Sequence, residues 1–170
     1  MKTFLLALIL SVGFTANATY LPLSETITIG GRVINPNKAG FKILYTVFGQ
    51  TTNESSAREP GAAVGYVVPA LKTFKIVAAE VLTMGVAGPV YLGYNDVDAG
   101  FASGGGTFVN FVGVGGATFT QLEMARSTTV GEKIDVSLDF VIPAGKYTAV
   151  LGPGGAGGTA ATVKLYGYEE

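Results

Sequence analysis

The sequence predicts an all-β, antiparallel fold of the β-sandwich or jelly-roll kind, following a cleaved N-terminal signal peptide. Three observations predict it. Apolar and polar residues alternate with a period of two along most segments. Gly, Pro and Asn punctuate those segments at short intervals, as turns between strands require. No segment beyond the N-terminus shows a convincing amphipathic helical pattern. A closed barrel is the lesser alternative.

The N-terminus reads Met1-Lys2-Thr3, then an apolar run from Phe4 to Phe14, then Thr15-Ala16-Asn17-Ala18. A basic start, a short apolar core and an Ala-x-Ala end are the parts of a secretory signal. The run is about half the roughly 20 residues that span a bilayer. Cleavage is therefore expected after Ala18, leaving a single domain over 19–170, with no transmembrane insertion of the mature chain. Export places the protein in a periplasm, on a cell surface or outside the cell.

Taken in order, Thr26-Ile27-Thr28-Ile29 alternates, as does Phe41 to Val47 less cleanly. Thr73 to Thr83 reads as a strand or a short helix, and its β-branched content with Pro69 and Gly85 at its flanks favours the strand. Ala117 to Met124 offers Phe119, Leu122 and Met124 as core residues. The clearest alternation is Ile134-Asp135-Val136-Ser137-Leu138-Asp139-Phe140, with the apolar set on one face and the polar set toward water. Tyr147 to Leu151 and Thr162 to Tyr168 complete the strands. One echo runs through the chain: Val68-Pro69-Ala70-Leu71-Lys72-Thr73-Phe74 matches Ile142-Pro143-Ala144-Gly145-Lys146-Tyr147-Thr148. Proline fixes φ and lacks a donor, so each copy marks a corner where one strand ends and another begins.

The composition narrows function. The 170-residue chain has no Cys, no His and no Trp. Without thiols, stability rests on the core, self-association or a bound ion. Without imidazole, Ser-His-Asp and Cys-His catalysis cannot be assembled, and ordinary zinc sites lose their commonest ligand. Removal of Lys2 with the signal leaves 10 basic and 12 acidic residues, and no Lys/Arg run offers nucleic acid a basic patch. Charged residues make up only 14 %. A surface so poor in charge points to burial against copies of itself rather than to a monomer coated with Thr and Gly loops.

Chemistry-bearing constellations are few. Tyr94-Asn95-Asp96-Val97-Asp98 groups three oxygen-bearing side chains, so Asn95, Asp96 and Asp98 are weak calcium candidates without the full EF-hand register. Tyr91 and Tyr94 beside Asn95, Asp96 and Asp98 form the candidate ligand site of a lectin-like module binding a surface glycan. Tyr166 and Tyr168 alternate on one face of the last strand. A two-carboxylate hydrolase would draw on Asp96 with Asp98, Asp135 with Asp139, or Glu80 or Glu123. Asp135 and Asp139 stand about 13 Å apart by strand rise, too far for the usual pair. The glycine runs at 100–106 and 152–158 lack the Gly-Lys-Ser/Thr ending of a phosphate loop. The polar stretch 49–61 reads as an exposed loop available for recognition.

These readings favour an exported, non-catalytic structural or interaction protein, a self-associating surface, fibre or matrix subunit that needs no cofactor. The lectin-like module, calcium-assisted or not, is the alternative. For assembly, Thr26, Ile27, Thr28 and Ile29 are the candidate donated strand, pairing with the open edge of a neighbour. Such donation is similar in general plan to that of exported fimbrial subunits, although the chain carries no motif of that family.

Overall fold

A computed structural model of the chain describes residues 26–49, 54–85, 87–98, 120–152 and 159–170. The signal segment 1–18, the first residues of the 117–124 strand with Phe119, and nearly all of both glycine runs lie outside the described residues.

The fold is all-β and antiparallel. Its strands are β1 (Ile27–Ile29), β2 (Arg32–Ile34), β3 (Phe41–Gly49), β4 (Glu54–Ser56), β5 (Phe74–Thr83), β6 (Pro89–Asn95), β7 (Thr120–Arg126), β8 (Lys133–Ile142), β9 (Tyr147–Leu151) and β10 (Thr159–Glu169). No helix occurs among the described residues. One four-stranded sheet has the order β3-β10-β5-β8, a second has β4-β9-β6-β7, and β1 and β2 form a hairpin.

Both four-stranded sheets supply one hydrophobic cluster. Leu44, Phe74, Ile76, Val81, Leu138, Ile142, Val163 and Leu165 come from the first, and Val90, Leu92, Met124 and Val150 from the second. The alternating face of β8 behaves as its sequence predicts: Leu138 is buried, and Ile134, Val136 and Phe140 pack against the cluster. A second cluster forms on the opposite face of the first sheet, where Val77, Ala78, Tyr166 and Tyr168 meet Ile29 and Ile34 of the hairpin. Strands β5 and β10 are therefore covered on both faces, which is why they carry apolar side chains on both.

Strand β5 also explains its ambiguous sequence. Ile76 pairs with Gly167 and Ala78 with Tyr166, so Val77 is an extra residue in the ladder. Phe74 and Ile76 face the inter-sheet core before this bulge, and Ala79 and Val81 do so after it. A bulge shifts the phase of a strand by one, and here it turns a period of two into a run of four buried residues, Ile76 to Ala79.

Three expectations change. The described part of the 49–61 stretch is not simply an exposed loop: β4 pairs with β9, and Ser56 and Ala57 are buried. Arg58 and Tyr45 then exchange backbone hydrogen bonds of 3.0 and 2.9 Å, which ties this segment to β3. Ladder bonds need no apolar side chains, so a polar sequence hid the pairing. Leu122 shares a register position with fully buried Leu92 yet is 40 % exposed, because β7 is the outermost strand of its sheet. The candidate donated strand pairs within its own chain: Ile27, Thr28 and Ile29 lie opposite Ile34, Val33 and Arg32, and Ile29 is buried against the first sheet.

Candidate functional site

The two tyrosines of the candidate glycan site do not converge. Along β6, Val90, Leu92 and Tyr94 face the inter-sheet core, and Tyr91 therefore lies on the other face. Tyr94 sets its ring 6.4 Å from that of Phe140 at the core margin. Tyr91 sits opposite Glu123, whose carboxylate takes two bonds from Arg126 at 2.7 and 2.9 Å. A stacking platform needs both rings on one surface, and the pleat separates them.

The oxygen ligands expected for calcium are turned to separate partners. Asn95 Oδ1 accepts from the amide of Asp96 at 2.7 Å, Asp96 pairs with Lys146, and Asp98 Oδ2 accepts from the amide of Gly65 at 2.8 Å. Among the described residues no group of three or more acidic side chains gathers where an ion would sit.

The remaining acids also stand beside lysines. Asp139 is 2.9 Å from Lys75 on the neighbouring strand, and Asp135 is 3.3 Å from Lys133 on its own strand. The Lys75 ammonium holds the Asp139 carboxyl below its usual range. Glu80 meets Lys133 at 2.7 Å and Lys164 at 3.8 Å and accepts from the Tyr166 hydroxyl. Burial opposes its ionisation, but the hydrogen bonds from Lys133 and Tyr166 prevail and its pKa is lowered.

Tyr166 and Tyr168 anchor the hairpin face rather than a ligand surface. The Tyr168 hydroxyl donates to the Asn35 carbonyl at 3.1 Å and accepts from the Asn35 amide at 3.0 Å. Lys38 stands 4.5 Å above its ring, and Phe41 packs beside it at 5.7 Å.

The two matching corners are built alike. In each, a lysine amide bonds to a proline carbonyl, Lys72 to Pro69 at 3.2 Å and Lys146 to Pro143 at 3.4 Å. In each, the residue before the lysine is left-handed: Leu71 has φ 64° and Gly145 has φ 74°. The corners also touch, since Val68 N–H donates to the Lys146 carbonyl at 3.0 Å and Gly145 N–H to the Val68 carbonyl at 2.8 Å. Leu71 is fully exposed at 101 %, with Val67 and Val141 also exposed nearby in the chain. The echo was legible in the sequence. The exposure of Leu71 was signalled only by its standing where the other corner has Gly.

Beside the corners lies a charged cluster that the sequence did not reveal. The Tyr66 hydroxyl donates to Glu169 Oε1 at 2.7 Å, while Lys42 pairs with Glu59 and with Glu169 at 3.2 Å. Lys72 reaches Glu169 at 3.8 Å. Burial works against the Glu169 carboxylate, but Tyr66 and Lys42 outweigh it and lower its pKa. Burial raises the Tyr66 hydroxyl, and Glu169 raises it further. The members satisfy one another and join β3, the 57–66 segment and β10.

Fold and surface together define an all-β antiparallel protein with paired acids and exposed apolar ends. No protein-family model, curated protein or solved structure matches the chain.

Proposed function

We propose that the chain is an exported, non-catalytic β-sandwich subunit that associates with itself in a surface, fibre or matrix assembly. The sandwich reading is supported by the single cluster to which both four-stranded sheets contribute. The observation that carries the self-association reading is that six of the ten large apolar side chains exposed among the described residues stand at the ends of the long strands. Val67, Leu71 and Val141 lie at one end of the long strands, and Leu82, Met84 and Val130 at the other. A chain with only 14 % charged residues has little to keep such ends apart in water.

The acids that a hydrolase or a calcium site would use stand in pairs with lysine or backbone amides. That arrangement supports a structural task for them. Tyr91 and Tyr94, on opposite faces of β6, give the lectin-like alternative no support.

Sedimentation velocity over a concentration series tests the proposal. The expected result is a sedimentation coefficient that rises with concentration and falls when mild detergent covers apolar surface. A protein that stays strictly monomeric up to the highest soluble concentration would overturn it.

A further inference from the structure

We infer that copies of the chain join head to tail, the Leu71 side chain of one entering a groove at the far end of β5 in the next; this inference rests on the self-association proposed above. The head is the corner that carries Leu71. A left-handed φ of 64° suits glycine and is unfavourable for leucine, and the matching corner uses Gly145 at this position. Leu71 nevertheless stands there with no part of its surface covered. Backbone strain that places a large apolar side chain in water is explained by a contact made outside the chain.

The tail is a cavity of about 120 Å³ lined by Glu80, Val81, Leu82, Lys133, Thr162 and Lys164. It lies on the outer face of the first sheet, the face that the β1–β2 hairpin covers farther along at Val77, Ala78, Tyr166 and Tyr168. Its volume suits the four carbons of one leucine side chain. Apolar surface extends beyond it. Met84 follows β5, and Val130 lies in a segment that Thr83 holds through the Gly131 amide at 2.7 Å and the Thr129 carbonyl at 3.1 Å. Met84 and Val130 are 50 % and 57 % exposed, enough to meet the apolar surroundings of Leu71.

Position sets the symmetry. Leu71 precedes β5 and Leu82 stands next to its last residue, and the rise of the strand separates its two ends by roughly 30 Å. An antiparallel two-fold dimer would seat both knobs in both grooves at once, so a wild type that stops at a dimer would overturn the head-to-tail arrangement. Joined head to tail, each added copy leaves a free groove and a free knob, and the contact propagates as a filament or closes as a ring. A lipid surface fits the head less well. The lysines around Leu71 each face a carboxylate, Lys72 with Glu169, Lys75 with Asp139 and Lys146 with Asp96, so no unpaired cation cluster draws it to anionic headgroups.

The test compares the wild-type exported chain with Leu71→Gly, which removes the knob and suits the backbone, and Thr162→Trp, which fills the groove. Thermal melts establish that each variant is folded. In sedimentation velocity each variant alone should associate about 10–100-fold more weakly than wild type, as loss of one buried leucine requires. An equimolar mixture should form a dimer and nothing larger, because only one knob and one open groove remain. Wild-type oligomers that persist in Leu71→Gly would overturn the head-to-tail contact and leave self-association standing. A monomeric wild type would overturn both. Binding of phosphatidylglycerol vesicles by a monomeric wild type, lost in Leu71→Gly, would assign the knob to lipid and overturn the inference.

Discussion

Leu71 and Gly145 occupy the same left-handed position in two Pro-Ala-x-Lys corners that are hydrogen-bonded side by side. Their φ values differ by only about 10°, so the backbone demand is shared while the residues meeting it are not. This makes the two positions controls for each other.

Replacing Leu71 by Gly should stabilise the monomer. Relief of a left-handed leucine contributes about 1–2 kcal/mol, and the added freedom of glycine in the unfolded chain removes about 0.5–1. The net gain should be about 0.5–1 kcal/mol in a urea titration at a concentration too low for association. Gly145→Ala should lose about 1 kcal/mol in the same titration. Its new methyl meets open space, so the loss is conformational rather than steric.

The hairpin should behave as part of the folded body. Ile34 is 1 % exposed and packs with Ile29 against the face bearing Tyr166 and Tyr168. Ile34→Ala should cost about 2–4 kcal/mol by denaturant unfolding, with transfer loss and a residual cavity both contributing. The exposed neighbour Val33 offers the comparison, since Val33→Ala at 65 % exposure should change stability by less than about 0.5 kcal/mol. Equal effects at the two positions would mean that the hairpin is not docked in solution.

Stability should fall at both extremes of pH. Glu80 and Glu169 have pKa values lowered from 4.5, so their contribution is present above that value and is lost as pH drops through the folded pKa. Tyr66 and Tyr166 have pKa values raised from 10.0, so their contribution is full below pH 10.0 and is lost as pH rises above it. Melting temperatures should hold a plateau between roughly pH 5 and 9 and decline on either side. Glu169→Gln should soften both limbs and abolish neither, because Glu80 keeps its lowered pKa and Tyr166 still donates to it.

How much could be read from residues alone depended on how many faces a strand buries. Strand β8 is covered on one face, and its alternation reads directly as Ile134, Val136, Leu138 and Phe140 inward. Strand β5 is covered on both faces and bulged at Val77, so its apolar residues blur strand into helix. Strands β2 and β4 have three residues each, too few for any period to show. Pairing to β9 buries Ser56, and nothing local in Glu54-Ser55-Ser56 announces that. The two tyrosines of the candidate site lie apart for a reason the strand pleat supplies. Tyr91 and Tyr94 are near neighbours in sequence, but odd spacing on a pleated strand sends them to opposite faces, a test the spacing itself offered. Tyr166 and Tyr168 could have been placed from the apolar Val163 and Leu165 on the other side, since apolar residues on both faces imply two covers.

Gly167 supplies the sharpest packing prediction. It lies in β10 at the step where the ladder to β5 shifts past Val77. A β-carbon there would stand 2.6 Å from the Lys75 carbonyl oxygen and 2.7 Å from Phe74 Cζ. Both are far inside ordinary contact, but they differ in kind. The Phe74 ring can yield, although it is fully buried and packs edge-on to Tyr66 at 5.1 Å. The Lys75 carbonyl belongs to the backbone of a central strand and cannot move without breaking the ladder on both sides. Gly167→Ala should therefore cost about 2–3 kcal/mol, in the range of overpacked cores. In a double-mutant cycle with Phe74→Leu, which shortens the ring contact and leaves the carbonyl in place, most of that cost should remain. A coupling energy that cancels it would locate the obstacle in the ring and show that the bulge gives the backbone room to adjust.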